Sequence, residues 1–317
     1  MHLKNVEIFC EVATNRSFSK AAKVIHISQS SASQAVQSLE ERLGVQLINR
    51  STRPLELTAA GQVFLTGCRD ILDRFRQVEE SLKTIQDDVT GRIRISAIYS
   101  VGLLSMERFI KKFQQQYPGI DIQLSYSHPD DVYEQVLQDR VDFGLLSFPR
   151  EGGENSCLPW QKQEIVLVVP ADHPLAARSE IAPSAINGEP FIALSSELKI
   201  RRQINRWLKE EGVQVDITHT FDDIENVKRA VEAGAGISLL PHPTVVREEV
   251  LGTLKAIRLV GVEWVRPLGI VHRRHKQLSI AAQRFVEMLQ NDFVDDVSMV
   301  NDHYRAHVRQ EAANSNI

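Results

Sequence analysis

The sequence predicts an α/β protein in three parts: a small helix-rich module at the N-terminus, one long connecting helix, and a larger region of two α/β lobes. Three observations carry this. The first sixty residues read as three short helices and a hairpin. Apolar residues then recur at alternating spacings of four and three from Phe64 to Val89. From Ile93 onward, short apolar runs alternate with helical patterns, as in a mostly parallel sheet covered by helices on both faces.

Composition sets the outer bounds. A chain of 317 residues that is 43% hydrophobic and 25% charged is an ordinary globular protein, which excludes disordered, collagen-like and disulfide-rich classes. No run approaches the roughly 18 apolar residues of a membrane span. Residues 1–15 are interrupted by Lys4, Glu7 and Glu11 and do not read as a secretory signal. Cys10, Cys68 and Cys157 are far apart and form neither a disulfide framework nor a metal knuckle, so a reducing cytoplasm is the expected location. Net charge is −4, with 13 Lys+Arg against 11 Asp+Glu in residues 1–94. Bulk charge therefore does not argue for nucleic acid, and such a role must rest on local geometry.

Leu3, Val6, Phe9, Val12 and Ala13 recur at helical spacing, so residues 4–15 read as an amphipathic helix. Ser17 is the expected N-cap of a second helix that buries Phe18, Ala21, Ala22 and Ile25. Ser28 caps a third, running to about Leu43 and stopped by Gly44, with Ala32, Val36, Leu39 and Leu43 as its apolar stripe. Its other face shows Gln29, Ser30, Ser31, Ser33, Gln34, Gln37 and Ser38, where a surface helix normally shows Lys and Glu. Gln29, Ser33 and Gln37 share one ridge. Carboxamides donate and accept at once, which suits base edges in a major groove, and hydroxyls suit phosphates. An ordinary polar helix face would look similar. Residues 45–50 and 55–58 then read as short strands around Ser51-Thr52-Arg53-Pro54, a wing with Arg50 and Arg53 at its strand end and tip. Arginines there suit a DNA backbone or a narrow minor groove.

These residues carry a resemblance. The ordered segments 18–22, 27–36, 39–44, 47–53 and 57–61 (Phe-Ser-Lys-Ala-Ala, Ile-Ser-Gln-Ser-Ser-Ala-Ser-Gln-Ala-Val, Leu-Glu-Glu-Arg-Leu-Gly, Leu-Ile-Asn-Arg-Ser-Thr-Arg and Leu-Thr-Ala-Ala-Gly) resemble the winged helix-turn-helix of LysR-type transcriptional regulators. The chain departs from that pattern at Ser30, where the family often has proline, and at Gln34, where it often has arginine. The second change implies a different operator preference. With Ser28, the residues expected at DNA are Gln29, Ser30, Ser31, Ser33, Gln34, Gln37, Arg50 and Arg53.

The stripe Phe64, Cys68, Ile71, Phe75, Val78, Leu82, Ile85 and Val89 has the spacing of a heptad seam. About 30 residues make a rod of roughly 45 Å. A rod with one narrow apolar stripe is best buried against a second copy, and two linked modules gain effective concentration on paired half-sites. The resemblance implies the same, with dimers often assembling into tetramers. A helix packed on its own domain is the alternative, and Cys68 reads as a packed thiol in the seam.

Beyond Gly91, strands are expected at residues 93–98, 120–126, 141–147, 165–170, 191–194, 215–221, 237–240 and 268–272, with helices between. Residues 170–176 (Pro-Ala-Asp-His-Pro-Leu-Ala) and 231–241 (Val-Glu-Ala-Gly-Ala-Gly-Ile-Ser-Leu-Leu-Pro) also resemble the LysR effector domain. The resemblance, which extends to about residue 290, implies a type 2 periplasmic-binding-protein fold. The expected domains are 1–58 for DNA binding, 59–90 for the linker and dimerisation helix, 91–294 for effector binding and 295–317 as a tail. The first lobe would comprise about 91–164 and 269–294, the second about 165–268. An effector would lie between the lobes, at strand ends and helix N-termini. Ser100 matches the hydroxyl position the family uses for an effector, and Ser127, His128, Ser195, Ser196, Ile224 and Glu225 are further candidates. Each also fits a helix cap. Arg201 and Arg202 suit an anionic effector or a solvated helix face.

No catalytic or nucleotide-binding signature stands in the right context, and no cofactor or metal is expected. His303 and His307 have helical i, i+4 spacing but no third ligand nearby. The expected partners are promoter DNA, a small-molecule effector, further copies of the chain and RNA polymerase, with no membrane. The rival reading is a small-molecule-binding α/β protein whose helical N-terminus only oligomerises. Steeply salt-dependent binding to a dyad-symmetric site separates the two.

Overall fold

The computed structural model describes residues 3–84 and 90–291. Helices α1 (Leu3–Asn15), α2 (Phe18–Val24) and α3 (Gln29–Leu43) pack around Val6, Phe9, Val12, Ala21, Ala32, Val36 and Leu39. The local signals act as expected. Ser17 accepts from the Lys20 N–H, Ser28 accepts from the Ser31 N–H, and Gly44 ends α3 at φ 70°. The wing is a minimal ladder of β1 (Ile48–Asn49) and β2 (Glu56–Leu57). It is shorter than the expected strands for a visible reason. One carboxylate oxygen of Glu40 takes the Leu47 and Ile48 N–H groups at 2.8 and 3.1 Å, so the chain entering the wing is tied to α3.

Helix α4 (Ala59–Thr84) follows and corrects part of the seam. Leu65, Cys68 and Leu72 are buried in the core of the N-terminal module, and Phe64 packs against Phe9 with ring centroids 5.3 Å apart. Phe64 and Cys68 therefore face their own domain, not outward. The reason is helical drift: a 3.6-residue period lets the first turns share a face with the bundle before the stripe rotates clear. Ile71, Phe75 and Val78 do remain 46%, 45% and 49% exposed. The side chain of Leu82, together with Ile85 and Val89, lies outside what the structure describes, as do His303, His307 and the rest of residues 292–317. Among the described residues no helix is long and apolar enough to cross a membrane, and no three His, Cys, Asp or Glu side chains converge on a metal position.

The remainder begins as predicted, with β3 (Gly91–Ala97), α5 (Tyr99–Gln116), β4 (Ile120–Tyr126), α6 (Pro129–Leu137) and β5 (Phe143–Ser147). These three strands are parallel in the order β4-β3-β5. The chain then leaves along the 16-residue β6 (Asn155–Pro170), which starts ten residues before the strand read from the sequence. It continues through β7 (Glu180–Ile181), β8 (Pro190–Leu194), α7 (Lys199–Glu210), β9 (Asp216–Phe221), α8 (Ile224–Glu232), β10 (Ser238–Pro241), α9 (Val246–Leu251) and β11 (Leu254–Leu259). It returns along β12 (Val265–Arg273) and closes with α10 (Ile280–Asn291).

Because one crossing strand leaves and the other returns, β12 is antiparallel to both β5 and β6. The expectation of a mostly parallel sheet is corrected to a mixed one, ordered β4-β3-β5-β12-β6-β11-β7 with β10 also on β6. A separate parallel pair, β8-β9, completes it. Two apolar cores result, one drawn from residues 93–160 and 268–289 and the other from residues 165–264.

Candidate functional site

Two surfaces concentrate polar side chains that the fold itself does not consume. The first is the exposed face of α3. Gln29, Ser30, Ser31, Gln34 and Gln37 are exposed, and Ser33 is half-buried. Their freedom differs. Ser28 bonds the Ser30 and Ser31 hydroxyls at 2.8 and 2.7 Å as well as the Ser31 N–H, so it serves chiefly as the helix cap. Gln37 donates to Glu41 at 2.9 Å. Ser33 accepts from Arg50 at 3.3 Å, joining the wing to the ridge.

Arg50 is held in place. It pairs with the second oxygen of Glu40 at 2.9 Å and lies over the Phe18 ring, 5.5 Å from its centroid. Glu40 thus fixes both the wing backbone and its arginine. Arg53 folds back to donate to the Arg50 and Thr52 carbonyls at 3.1 and 3.0 Å. The arginines are held in place beside the α3 ridge, which lowers the ordering cost of a contact there.

The second surface is a cavity of about 410 Å³ between the two cores, a size suited to a small molecule. The N-terminal turns of α5, α6, α7 and α8 all line it through Tyr99 and Ser100, Pro129 and Asp130, Lys199 and Ile200, and Ile224 and Glu225. The caps of α5, α6 and α7 (Ile98, His128 and Leu198) make no side-chain cap bond, so these first turns keep backbone N–H groups that their own caps do not take. Asp223 caps α8 by accepting from the Asn226 N–H at 2.8 Å.

Arg266 on β12 also lines the cavity, although it is only 1% exposed. It donates to the Ser100 hydroxyl at 2.7 Å and to Gln163 at 3.4 Å, both neutral acceptors. Its Nε has no partner. Burial pulls its guanidinium down to about 9. Next to Arg266, β12 shifts register between Pro267 and Gly269, an irregularity of the kind that re-aims side chains at sites.

Across the cavity, Lys199 donates to the Phe148 carbonyl and lies 5.9 Å from the Tyr133 ring centroid. Burial lowers its ammonium to about 8, and the Arg150 and Arg202 cations push the same way, against weaker opposition from Asp130 and Cys157. The sign of the consequence follows. Between pH 8 and the ordinary lysine value of 10.5 the unfolded chain binds the extra proton, so raising pH through that window relieves a penalty present at neutrality. Methyl-¹³C labelling of lysine amines, with Lys199→Arg to assign the signal, should show a midpoint near 8; one above 10 would contradict the burial and cationic crowding of this amine.

The cavity unites Ser100, Ser127, His128, Ile224 and Glu225. Ser195 and Ser196 do not line it and are corrected. The turn after β8 presents Leu194, Glu197 and Leu198 instead, and Ser195 is occupied locally by the Glu197 N–H. Arg201 is also corrected: it is 7% exposed and fastens α7 to β8 through the Leu194 carbonyl at 2.9 Å, while Arg202 does reach the cavity. Glu225 is paired with Lys228 at 2.8 Å, so its charge is compensated on its own helix. Arg266, Lys199, Arg150 and Tyr133 are absent from the sequence reading. A lone arginine between Val265 and Pro267 gives no local sign that it meets a serine 166 residues away.

Residues 3–62 match the family described as bacterial regulatory helix-turn-helix protein, lysR family. Residues 86–294 match the LysR substrate binding domain. The chain is 28% identical over 287 residues to the HTH-type transcriptional activator CmpR of Synechocystis, covering 90% of this chain and 94% of that protein. It is equally 28% identical over 287 residues to the RuBisCO operon transcriptional regulator of Allochromatium vinosum, covering 90% and 95%. Among solved structures, a full-length OxyR variant from Pseudomonas aeruginosa shares the fold with a TM-score of 0.73 over 94% of both chains, at 20% identity.

Proposed function

The chain belongs to the LysR family, and from that premise we propose how this DNA-binding transcriptional regulator reads its site and answers a signal. Gln29, Ser30, Ser31 and Gln34 read base edges and adjacent phosphates in a major groove, with Gln37 and Ser33 further along the ridge. Arg50 and Arg53 engage the flanking backbone or minor groove. A second copy packs on the α4 stripe of Ile71, Phe75 and Val78, so that two recognition helices meet successive grooves. A small molecule in the cavity between the cores biases the relative setting of the lobes, provided it binds one setting better than the other. The proposed compartment for this action is the cytoplasm.

The observation that carries the reading is the α3 face itself. It is an exposed carboxamide and hydroxyl surface whose supporting wing is anchored by Glu40. Fluorescence anisotropy on fragments recovered by genome-wide mapping of bound DNA tests it. Gln29→Ala should cost about 1–3 kcal/mol at the cognate site and relax base preference. Full retention of both would remove Gln29 from the reading face. Binding by the unaltered chain should weaken steeply with salt; indifference to salt and sequence would favour the oligomerisation-arm reading.

A further inference from the structure

Resting on the cavity as the effector site, we propose that the effector is a small anion whose carboxylate, phosphate or sulfate oxygens dock against Arg266 and Ser100, with Lys199 drawing it in from the opposite lobe.

The chemistry begins at Arg266. A guanidinium has five N–H donors and is costly to bury without an opposite charge. Here it is 1% exposed, meets only neutral oxygens, and keeps its Nε–H free. Among the described residues no carboxylate lies within ion-pair distance of Arg266 or Lys199. Other buried cations of this chain do have such partners: Arg273 pairs with Asp139 at 2.8 Å, and Lys228 with Glu248 at 3.0 Å. Arg201, outside the cavity lining, also meets only neutral oxygens, those of Asn205 and Leu194 at 2.7 and 2.9 Å; what sets Arg266 apart is the unpartnered Nε–H at the cavity.

Ser100 completes the anchor. Its oxygen accepts from Arg266, which leaves its own O–H to donate outward. Uncapped N-terminal turns of three helices, each at least nine residues long, add partial positive charge at the same place. Lys199 and Ser100 come from different lobes, so an anion touching both favours the lobes together. Five carboxylates also line the cavity, Asp130, Glu197, Asp222, Asp223 and Glu225; Asp223 and Glu225 are bonded to Asn226 and Lys228, and none of the five forms an ion pair with Arg266, so the anion docks at the Arg266–Ser100 end.

Thermal melting of the full chain tests this at constant ionic strength set with chloride. The probes are sodium succinate, inorganic phosphate, sodium sulfate and neutral succinamide. Phosphate and sulfate also stabilise proteins generally at high concentration, so the signal is a saturable rise. At least one anion should give it, succinamide should not, and the active anion distinguishes carboxylate from inorganic oxyanion chemistry. Arg266→Met, which removes the buried charge at similar volume, should melt cooperatively without the response. Should that variant fail to fold, Lys199→Met carries the test and should bind the active anion at least tenfold more weakly. No saturable response to any anion, an equal response to succinamide, or an unaltered response in the variants would each overturn the proposal. Promoter binding by the unaltered chain is measured alongside. Its loss would point to the regulator reading, whereas succinamide binding with intact DNA binding would keep the effector cavity and remove only its anion preference.

Discussion

Phe75→Asp combined with Val78→Asp is expected to convert the assembled protein to monomers and to lower its apparent affinity for a two-half-site promoter by about 10²–10⁴-fold. Ile71, Phe75 and Val78 lie at i, i+4 and i+7 on one side of α4, all roughly half exposed, while the neighbouring Leu65, Cys68 and Leu72 are already committed to the N-terminal core. The stripe is too apolar to be designed for water and adds nothing to its own domain. Two carboxylates in a paired stripe would be desolvated without partners, and in duplicate. Sedimentation velocity reads the assembly and anisotropy reads the DNA. A double variant that sediments like the parent would show that the copies meet elsewhere. Affinity for an isolated half-site should change little, since the α3 face is untouched.

Gly61→Ala is expected to lower the melting temperature of the DNA-binding module by about 10 °C, the scale of roughly 2 kcal/mol of overpacking in a domain of this size. A Cβ on Gly61 would stand 2.0 Å from the Leu47 carbonyl oxygen and 2.9 Å from its carbon, both backbone atoms. That approach exists because the start of α4 is stitched to the segment entering the wing. Thr58 donates its N–H to the Leu47 carbonyl at 3.0 Å and its hydroxyl to the Gln46 carbonyl at 2.6 Å, and the Gly61 N–H returns to the Thr58 hydroxyl at 2.9 Å. A methyl group must push the wing entry away, which also strains the Glu40 bonds to Leu47 and Ile48. Differential scanning calorimetry and promoter binding should fall together. An unshifted transition would mean the backbone yields there at no cost.

What could be read from the chain alone divides along physical lines. Helices in the first sixty residues announce themselves through caps and short-range periodicity, and Ser17, Ser28 and Gly44 each do locally what their side chains permit. The α4 stripe is periodic too, yet periodicity cannot say which copy of the protein covers each turn: Phe64 and Cys68 share the spacing of the outward stripe and lie inward. Strand β6 escapes pattern recognition in its first half because Gln161, Lys162, Gln163 and Glu164 break the apolar run, while β11 is masked by Lys255 and Arg258. The cavity was legible only where a residue follows a strand and opens a helix, as Ser100 and Ile224 do. Arg266 and Lys199 enter it through pairings across the whole domain, and Ser195 and Ser196 miss it because the turn after β8 aims other side chains inward.

Strand β12 carries an arginine near each end. Arg266 stands near one end of it and Arg273 closes the other, where its guanidinium reaches Asp70 of α4 at 3.5 Å as well as Asp139. β12 is bonded on both flanks, to β5 and to β6, so it moves only with the sheet. One continuous strand therefore carries the cavity's buried cation near one end and, at the other, an arginine that grips α4, which makes the cavity and the rod share a single piece of framework.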